Sequence, residues 1–367
     1  MSESTLPQAP SSIETSAVSA KTGVKRQREH VHTPNKDTEH PFAPFVRILA
    51  KGKTGSRSLT EEESFKAFSM ILDGEVEDVQ LGAFLMLLRV KEETPTEQAG
   101  FTRAIRQYIK NNNFFSPDVK ADIDWPSYAG KHKQLPWYLC AALLLAGSGL
   151  KVFMHGVEGH TSGRLYTEQA LKNLGIGIAN NSADIGKQLS ENNFCFLPLE
   201  KFCSPLHRII QLRNTFGVRS PVHSLIRMTN PLRCKISLQS VFHPSYAKTH
   251  ISAALQLEQP SSLVIKGEGG EFEMRPDAKN TLHILQQGHY LEETWARPLP
   301  EKTPVCTDLN LDHLLDVWRG RREDRYGLQA IRLTSAAVLR MTKQCKNENE
   351  ALSLAEDLWQ KRKRDLI

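Results

Sequence analysis

Three glutamates surround a glycine-rich turn late in the chain. Glu268, Glu271 and Glu273 follow an apolar run at residues 262–266, with glycines between them. Carboxylate oxygens are ligands that Mg²⁺ and Ca²⁺ prefer, so a divalent-cation site is one interpretation of this spacing. In an extended segment, however, successive side chains point to opposite faces, which would keep the carboxylates from converging. We therefore expect a solvated acidic turn rather than a metal site.

The second group of candidate residues is basic. The stretch between Lys201 and Leu257 carries no aspartate or glutamate, whereas a surface that only faces solvent normally mixes both signs. We expect this stretch to contact phosphate groups, because each such contact releases counterions and makes affinity fall with salt. The candidate nucleic-acid-binding residues are Lys201, Arg208, Arg213, Arg219, Arg227, Arg233 and Lys235.

A further basic cluster lies near the end of the chain and is interrupted by Glu323 and Asp324. If this segment is helical, arginines three residues apart share one face. Ion pairing within the chain and phosphate binding are equal alternatives here. The candidate residues are Arg319, Arg321, Arg322 and Arg325.

Length and composition describe an ordinary globular protein. The chain has 367 residues and a net charge of +6, which permits polyanion binding without requiring it. The apolar run at 139–145 is too short to span a bilayer, so no membrane association is expected. Six cysteines without paired spacing predict free thiols, and the N-terminus lacks the apolar core of a secretory signal. A cytoplasmic location is expected.

The elements that must position these residues fall into three parts. Residues 1–40 are rich in Ser, Thr, Pro and Ala and predict a disordered tail. Residues 41–118 predict a helical N-terminal domain of three helices, two of which begin with capping boxes at 60–63 and 94–97. Residues 119–367 alternate strands with helices, which is typical of an α/β domain with a mainly parallel sheet.

Four segments occur in an order that identifies a family: residues 80–86, 154–156, 213–220 and 228–231. Through them the chain resembles glycosyltransferase family 3, which includes anthranilate phosphoribosyltransferase and the pyrimidine nucleoside phosphorylases. The resemblance implies a small helical domain joined to a larger α/β domain, with ligands bound in the cleft between them. It also implies a homodimer formed through the helical domains.

Several positions keep the family pattern. His155 and Gly156 match the family's His-Gly at a substrate-facing strand end, and Arg213 matches the arginine that contacts the anthranilate carboxylate. Asn230 matches the Thr-Asn-Pro turn. By the resemblance, these residues and Arg164 would form a degenerate cleft.

Other positions depart from the pattern. Residues 128–132 replace the Gly-Thr-Gly-Gly-Asp turn that holds phosphate, and residues 161–164 replace the Ser-Ser-Lys-Ser segment, ending in Arg164. Phe272 takes the place of the magnesium-binding aspartate, between Glu271 and Glu273. Pyrophosphate departure needs cationic neutralisation and close backbone donors. We therefore expect no efficient phosphoribosyl transfer and no cofactor, with magnesium required only if the enzyme alternative holds.

Within the family, the chain is most similar to the YbiB-type branch, whose members are nucleic-acid-binding homodimers without transferase activity. The expectation is a homodimer that binds DNA or RNA through phosphates with little sequence preference. One alternative is a glycosyltransferase with an altered donor or acceptor, using His155, Arg164 and Arg213. The other is a small-molecule sensor whose cleft binds an anion.

Overall fold

The computed structural model describes residues 39–52, 54–306, 308–342 and 344–367. The tail expected at 1–40 therefore lies outside the described residues, except for its last two positions. No described helix is both long enough and apolar enough to cross a membrane. All six cysteines are free thiols, as predicted.

The described chain begins with helices α1 (Ala43–Ala50), α2 (Glu61–Leu72), α3 (Asp78–Lys91) and α4 (Pro95–Asn111). Helices α2 and α4 begin with the predicted capping boxes, since the hydroxyls of Thr60 and Thr94 each accept the backbone N–H three residues on. Helix α1 is an addition to the three predicted helices. It has no side-chain cap and is held by burying Phe45 and Leu49.

A seven-stranded sheet forms the centre of the molecule, in the order β3-β2-β1-β4-β5-β6-β7. The first five strands of that order are parallel and the last two pairings are antiparallel, which confirms the prediction of a mainly parallel sheet. The strands are β1 (Ile123–Ser127), β2 (Val152–Gly156), β3 (Phe194–Pro198), β4 (Ile236–Val241), β5 (Ser261–Lys266), β6 (Asn280–Gln286) and β7 (His289–Trp295).

The remaining helices connect the strands and close the chain. They are α5 (Trp137–Gly147), α6 (Thr167–Asn173), α7 (Ser182–Glu191), α8 (Leu199–Phe202), α9 (Ser204–Gln211), α10 (Arg213–Phe216), α11 (Val222–Leu225), α12 (Tyr246–Gln256), α13 (Leu311–Arg319), α14 (Arg325–Met341) and α15 (Glu348–Lys361). The basic segment at 319–325 is not one helix, because Gly320 adopts a left-handed conformation with φ +72° and ends α13. The shared face considered for Arg319 and Arg322 therefore does not form.

Both faces of the sheet are covered, as parallel sheets require. Two consecutive residues of β2 illustrate this, because their side chains point to opposite faces. Met154 belongs to one core with α5 and α14, and Phe153 belongs to the other with α2 and α4. The order in which strands are added reverses between β1 and β4. The strands β2 and β3 lie on one side of β1, and β4 lies on the other side. Ligands of open α/β sheets bind outside the carboxyl ends of the strands at such a switch point.

Candidate functional site

The residues at the carboxyl ends of β1, β2, β4 and β5 meet at this switch point. They are the turn 128–131 after β1, the loop 157–164 after β2, Phe242 after β4 and the glycine turn 267–270 after β5. The close approach of β1 and β2 depends on Gly156, because a Cβ there would lie 2.4 Å from the Ser127 carbonyl oxygen. Each loop reaches the site because its strand ends there.

The glutamates of the turn after β5 are buried, so the expectation of a solvated acidic turn is wrong. Glu268 is 6% exposed, Glu271 is 1% exposed and Glu273 is 0% exposed. The chain folds back toward β1 in a tight turn that requires glycine at position 267. A Cβ there would lie 1.7 Å from the carbonyl oxygen of Glu271. Burial of three carboxylates requires partners for each of them, and the turn after β1 supplies these partners.

The Glu271 carboxylate binds the backbone of the β1 turn. Its Oε1 accepts the N–H groups of Ala129 and Gly130, each at 2.6 Å, and its Oε2 accepts the Ser127 hydroxyl at 2.8 Å. Consecutive backbone N–H groups that converge on one oxygen form an anion-binding nest. Burial raises the pKa of Glu271, opposed mainly by nearby Arg227. The backbone donors of the phosphate turn are thus retained, but an internal carboxylate occupies them.

Lys131 occupies the centre of the remaining carboxylates. Its ammonium is fully buried and forms ion pairs with Glu268 and, at 2.6 Å, with Glu273. Burial alone would lower the pKa of Lys131, but the attraction of both carboxylates outweighs it and leaves the pKa above its ordinary value. Glu273 also accepts the Tyr138 backbone N–H at 2.8 Å. A protein cation therefore lies between these two carboxylates.

Phe272 points away from these groups into the core. Its side chain is 0% exposed and packs edge-on against Trp125, with 5.5 Å between ring centroids. The part of the chain that the structure describes contains no group of three or more His, Cys, Asp or Glu side chains arranged to hold a metal ion. The magnesium arrangement implied by the resemblance does not fit these side chains, because their carboxylates bind Lys131 and backbone N–H groups.

A cavity of about 800 Å³ lies beside this cluster, between the end of α3 and the carboxyl ends of the strands. Glu92 and Glu93 contribute its carboxylates, and burial raises the pKa of Glu93 to about 7. The cavity has more positive groups than negative ones, because five arginines also line it: Arg89, Arg164, Arg213, Arg219 and Arg227.

Backbone carbonyls accept hydrogen bonds from four of these guanidiniums, including that of Arg89. Arg164 Nη1 donates to Ala129 O at 2.9 Å and to Gly130 O at 3.0 Å, and Arg213 Nη1 donates to His160 O at 2.6 Å. Arg227 donates to the carbonyl of Gly270 at 3.3 Å. Within the described residues, no carboxylate forms an ion pair with any of the four arginines Arg164, Arg213, Arg219 and Arg227.

The arginines are close enough to repel one another. Burial, followed by the positive charges of Arg227, Arg164 and Arg213, lowers the pKa of Arg219 to about 10. Of the three histidines on the cavity wall, two add no charge near neutral pH, since burial lowers the pKa of His223 to about 2 and that of His250 to about 3. The five guanidinium groups stay charged across the physiological pH range and carry the excess positive charge. Such a cavity attracts anions.

Some residues predicted by resemblance lie outside the cavity. His155 is 0% exposed, with Nδ1 at 2.6 Å from the Tyr128 hydroxyl and Nε2 at 3.1 Å from Asp124 Oδ1. Asn230, with φ +40°, holds the turn before β4, because its Oδ1 accepts the Cys234 N–H at 2.8 Å. Both residues act as buried hydrogen-bonding elements of the fold.

The predicted basic residues divide by position. Arg164, Arg213, Arg219 and Arg227 line the cavity, but Arg233 and Lys235 precede β4 and lie at the opposite end of that strand. Arg208 is surface-exposed and pairs with Asp78 at 2.5 Å. The other candidates, which also lie outside the cavity lining, are Lys201, Arg319, Arg321, Arg322 and Arg325.

Sequence reasoning missed residues whose partners are distant in the chain. Lys131 and Glu268 were not singled out as a pair, although a lysine in one degenerate loop and extra glutamates in the other were a usable signal. Arg89 at the end of α3 reaches the cavity by donating to the Arg219 carbonyl at 2.6 Å. Phe242 lines the cavity and is 61% exposed. Nothing in the local sequence distinguishes Phe242 from a core residue.

The chain matches known proteins over most of its length. The helical bundle domain of the glycosyl transferase family matches residues 45–109, and its α/β domain matches residues 138–362. The uncharacterized protein YbiB of Escherichia coli (strain K12) is 30% identical over 208 residues, which cover 56% of this chain and 64% of that protein, less than two thirds of its length. Anthranilate phosphoribosyltransferase of Vibrio campbellii is 27% identical over 241 residues, covering 65% and 69%.

Solved structures agree with this fold. The crystal structure of anthranilate phosphoribosyltransferase from Thermus thermophilus has a TM-score of 0.71 at 20% identity, covering 88% of this chain and 94% of that one. The Saccharomyces cerevisiae enzyme in complex with PRPP and Mg has a TM-score of 0.71 at 16% identity, with the same coverage. At these identities the likeness establishes the fold.

Proposed function

Because the chain belongs to glycosyl transferase family 3, with both its helical bundle and its α/β domain, we propose that it binds DNA or RNA through phosphate contacts on a scaffold that no longer transfers phosphoribosyl groups. The observation that carries the proposal is the cavity in which Arg164, Arg213, Arg219 and Arg227 converge without an ion-pair partner among the described residues. Guanidinium groups match phosphate geometry with several parallel donors. Contacts of this kind give little sequence preference.

The loss of transfer is supported by the neighbouring carboxylate cluster. Transfer from phosphoribosyl pyrophosphate needs free backbone donors and a cation at the pyrophosphate. Here Glu271 takes the N–H groups of Ala129 and Gly130, and Lys131 lies between Glu268 and Glu273. The protein's own charged groups thus satisfy the sites at which a pyrophosphate and its metal would bind.

Fluorescence anisotropy with single- and double-stranded oligonucleotides over a salt series tests the binding. For a single strand, log K falls with log salt by about 0.7 per neutralised phosphate, so an Arg164→Gln/Arg219→Gln double variant should reduce the slope by about 1.4. Arg340→Gln is the matched control, since Arg340 lies outside the cavity lining and is already paired with Glu293 at 2.7 Å. Absence of salt-dependent binding by the wild-type protein would refute the proposal.

A transferase with an altered substrate is the second candidate. The observation in its favour is the cavity volume of about 800 Å³, which lies within the range of about 300–1,000 Å³ typical of small-molecule sites. Magnesium-dependent release of pyrophosphate from phosphoribosyl pyrophosphate would support it, provided that Arg213→Gln abolishes the activity. Nucleic-acid binding without release of pyrophosphate would exclude the transferase and support the first proposal.

A homodimer through the helical domain is proposed with the binding function. One face of α3 is apolar yet exposed, with Val79 at 79% and Val90 at 85% exposure, and Ala83 and Met86 lie between them at helical spacing. Two copies would place two cationic cavities in one particle and increase avidity. In light scattering, Val79→Glu/Val90→Glu should yield a monomer, whereas Val305→Glu, at another exposed valine, should not. An unchanged mass of the double variant would exclude this interface.

A further inference from the structure

The cavity is too small for a continuous duplex. Its volume of about 800 Å³ suits one nucleotide-sized ligand rather than a helix. Only the end of a strand, or a nucleotide turned out of its strand, can therefore enter it. This restriction distinguishes the cavity from the exposed basic residues, which remain accessible to any part of a nucleic acid.

The charge of the cavity favours a phosphate at a strand end. An internal phosphodiester carries one negative charge, whereas a phosphate monoester carries about 1.5 to 2 at pH 7. Arg164, Arg213 and Arg227 act on Arg219 strongly enough to lower its pKa, after the effect of burial. A doubly charged group relieves this mutual repulsion more than a diester does. The arginines are therefore better matched to a terminal monoester.

The wall of the cavity also offers a surface for a base. Phe242 follows β4 directly and keeps 61% of its surface exposed, although it is a large aromatic residue. The His243 ring lies edge-on to it at 4.9 Å between centroids, and both residues line the cavity with Tyr246. Exposed aromatic rings beside a cationic groove are the elements that bind unstacked bases in single strands. A base and a phosphate can thus be held in one cavity.

We propose that this cavity binds the terminal nucleotide of a single strand that ends in a phosphate monoester. The phosphate lies among the arginines and the base stacks on Phe242. The inference rests on the proposed nucleic-acid binding and names the part of the nucleic acid that the cavity takes. It requires no chemical step, since the strand is bound and not altered.

Binding of short single strands of one sequence to the full chain tests the inference. The strands carry a 5′-phosphate, a 3′-phosphate or only hydroxyl ends, and a circular strand of the same sequence has no end. The strand with the preferred terminal phosphate should bind about tenfold more tightly than the hydroxyl-ended and circular strands, a factor of the size of one hydrogen bond between charged groups. The two phosphorylated strands distinguish a 5′ from a 3′ end.

Phe242→Ala should weaken binding of the preferred strand about tenfold, the size of one lost base-stacking contact, while Leu255→Ala, which truncates another exposed apolar side chain, should leave that affinity unchanged. Equal, salt-dependent binding of all four strands would overturn the inference and leave the proposed function intact. Absence of binding by every strand would overturn both. Unchanged affinity of Phe242→Ala for the preferred strand would refute the stacking part of the inference.

Discussion

Replacement of Glu271 by alanine tests whether an internal carboxylate occupies the anion-binding turn. The change leaves the buried N–H groups of Ala129 and Gly130 without an acceptor, while the Ser127 hydroxyl keeps Thr167 Oγ1 at 2.6 Å as a partner. Each unsatisfied buried donor costs about 1–3 kcal/mol, so the two donors together cost about 4 kcal/mol. Relief of the buried negative charge offsets part of this, which leaves an expected loss of about 3 kcal/mol in the free energy of unfolding.

Urea denaturation measures this loss, and added phosphate supplies the specific readout. Once the carboxylate is absent, inorganic phosphate should bind the vacated N–H groups and stabilise Glu271→Ala by about 2.7 kcal/mol at one hundred times its dissociation constant. Glu271→Gln, which keeps a carbonyl acceptor, should lose less stability and gain less from phosphate. Glu301→Ala, at an exposed glutamate, is the control for removal of a carboxylate.

Two results would refute the reasoning about Glu271. One is a Glu271→Ala variant as stable as the wild-type protein, which would mean that the turn does not depend on the carboxylate. The other is equal stabilisation of wild type and variant by phosphate, which would place the phosphate site elsewhere, for example among the cavity arginines. Stabilisation of the variant beyond that of the wild type is the outcome that the geometry requires.

Three further predictions concern the buried charges and the substituted metal position. Lys131→Met should cost about 3–5 kcal/mol, because it leaves two buried carboxylates unpaired; urea melts compared with the exposed control Lys133→Met check this, and equal melts would contradict the buried pairing. Phe272→Asp should cost at least about 4 kcal/mol, since it removes a core ring and buries a charge, and it should give no magnesium-dependent turnover; recovery of turnover would show that the metal position had been retained. Because the pKa of Glu93 is raised from 4.5 to about 7, the unfolded chain loses this proton first and stability should fall as pH rises through that interval. The fall is at most about 3 kcal/mol, and an unchanged pH profile in Glu93→Gln would exclude it.

Local sequence determines the elements of this fold. The capping boxes at Thr60 and Thr94 specify helix starts with residues three positions apart, so a short window contains the whole signal. The alternation of apolar strands with helices after residue 119 likewise predicted a mainly parallel sheet. Helix α1 was missed because it has no side-chain cap and depends on packing of Phe45 and Leu49 against other helices.

The predicted site was only partly recoverable from the sequence. The acid-free stretch identified Arg213, Arg219 and Arg227, because a long run of one charge sign is visible without a fold. It could not separate them from Arg233 and Lys235, whose position at the other end of β4 follows from the path of the strand. Charge composition therefore located the arginines, and the direction of the strand sorted them.

The sequence by itself determined which groups were lost from the family pattern and which charges were gained. Only the tertiary structure decided what those charges do. Glu271 lies 142 residues from Ala129, and its carboxylate becomes the acceptor of that N–H only when β1 and β5 end at the same edge of the sheet. The periodicity of an isolated segment predicts the faces of its side chains, but burial and pairing depend on what packs there. For that reason an acidic turn that suggested solvation is instead the buried partner of Lys131 and of the β1 turn.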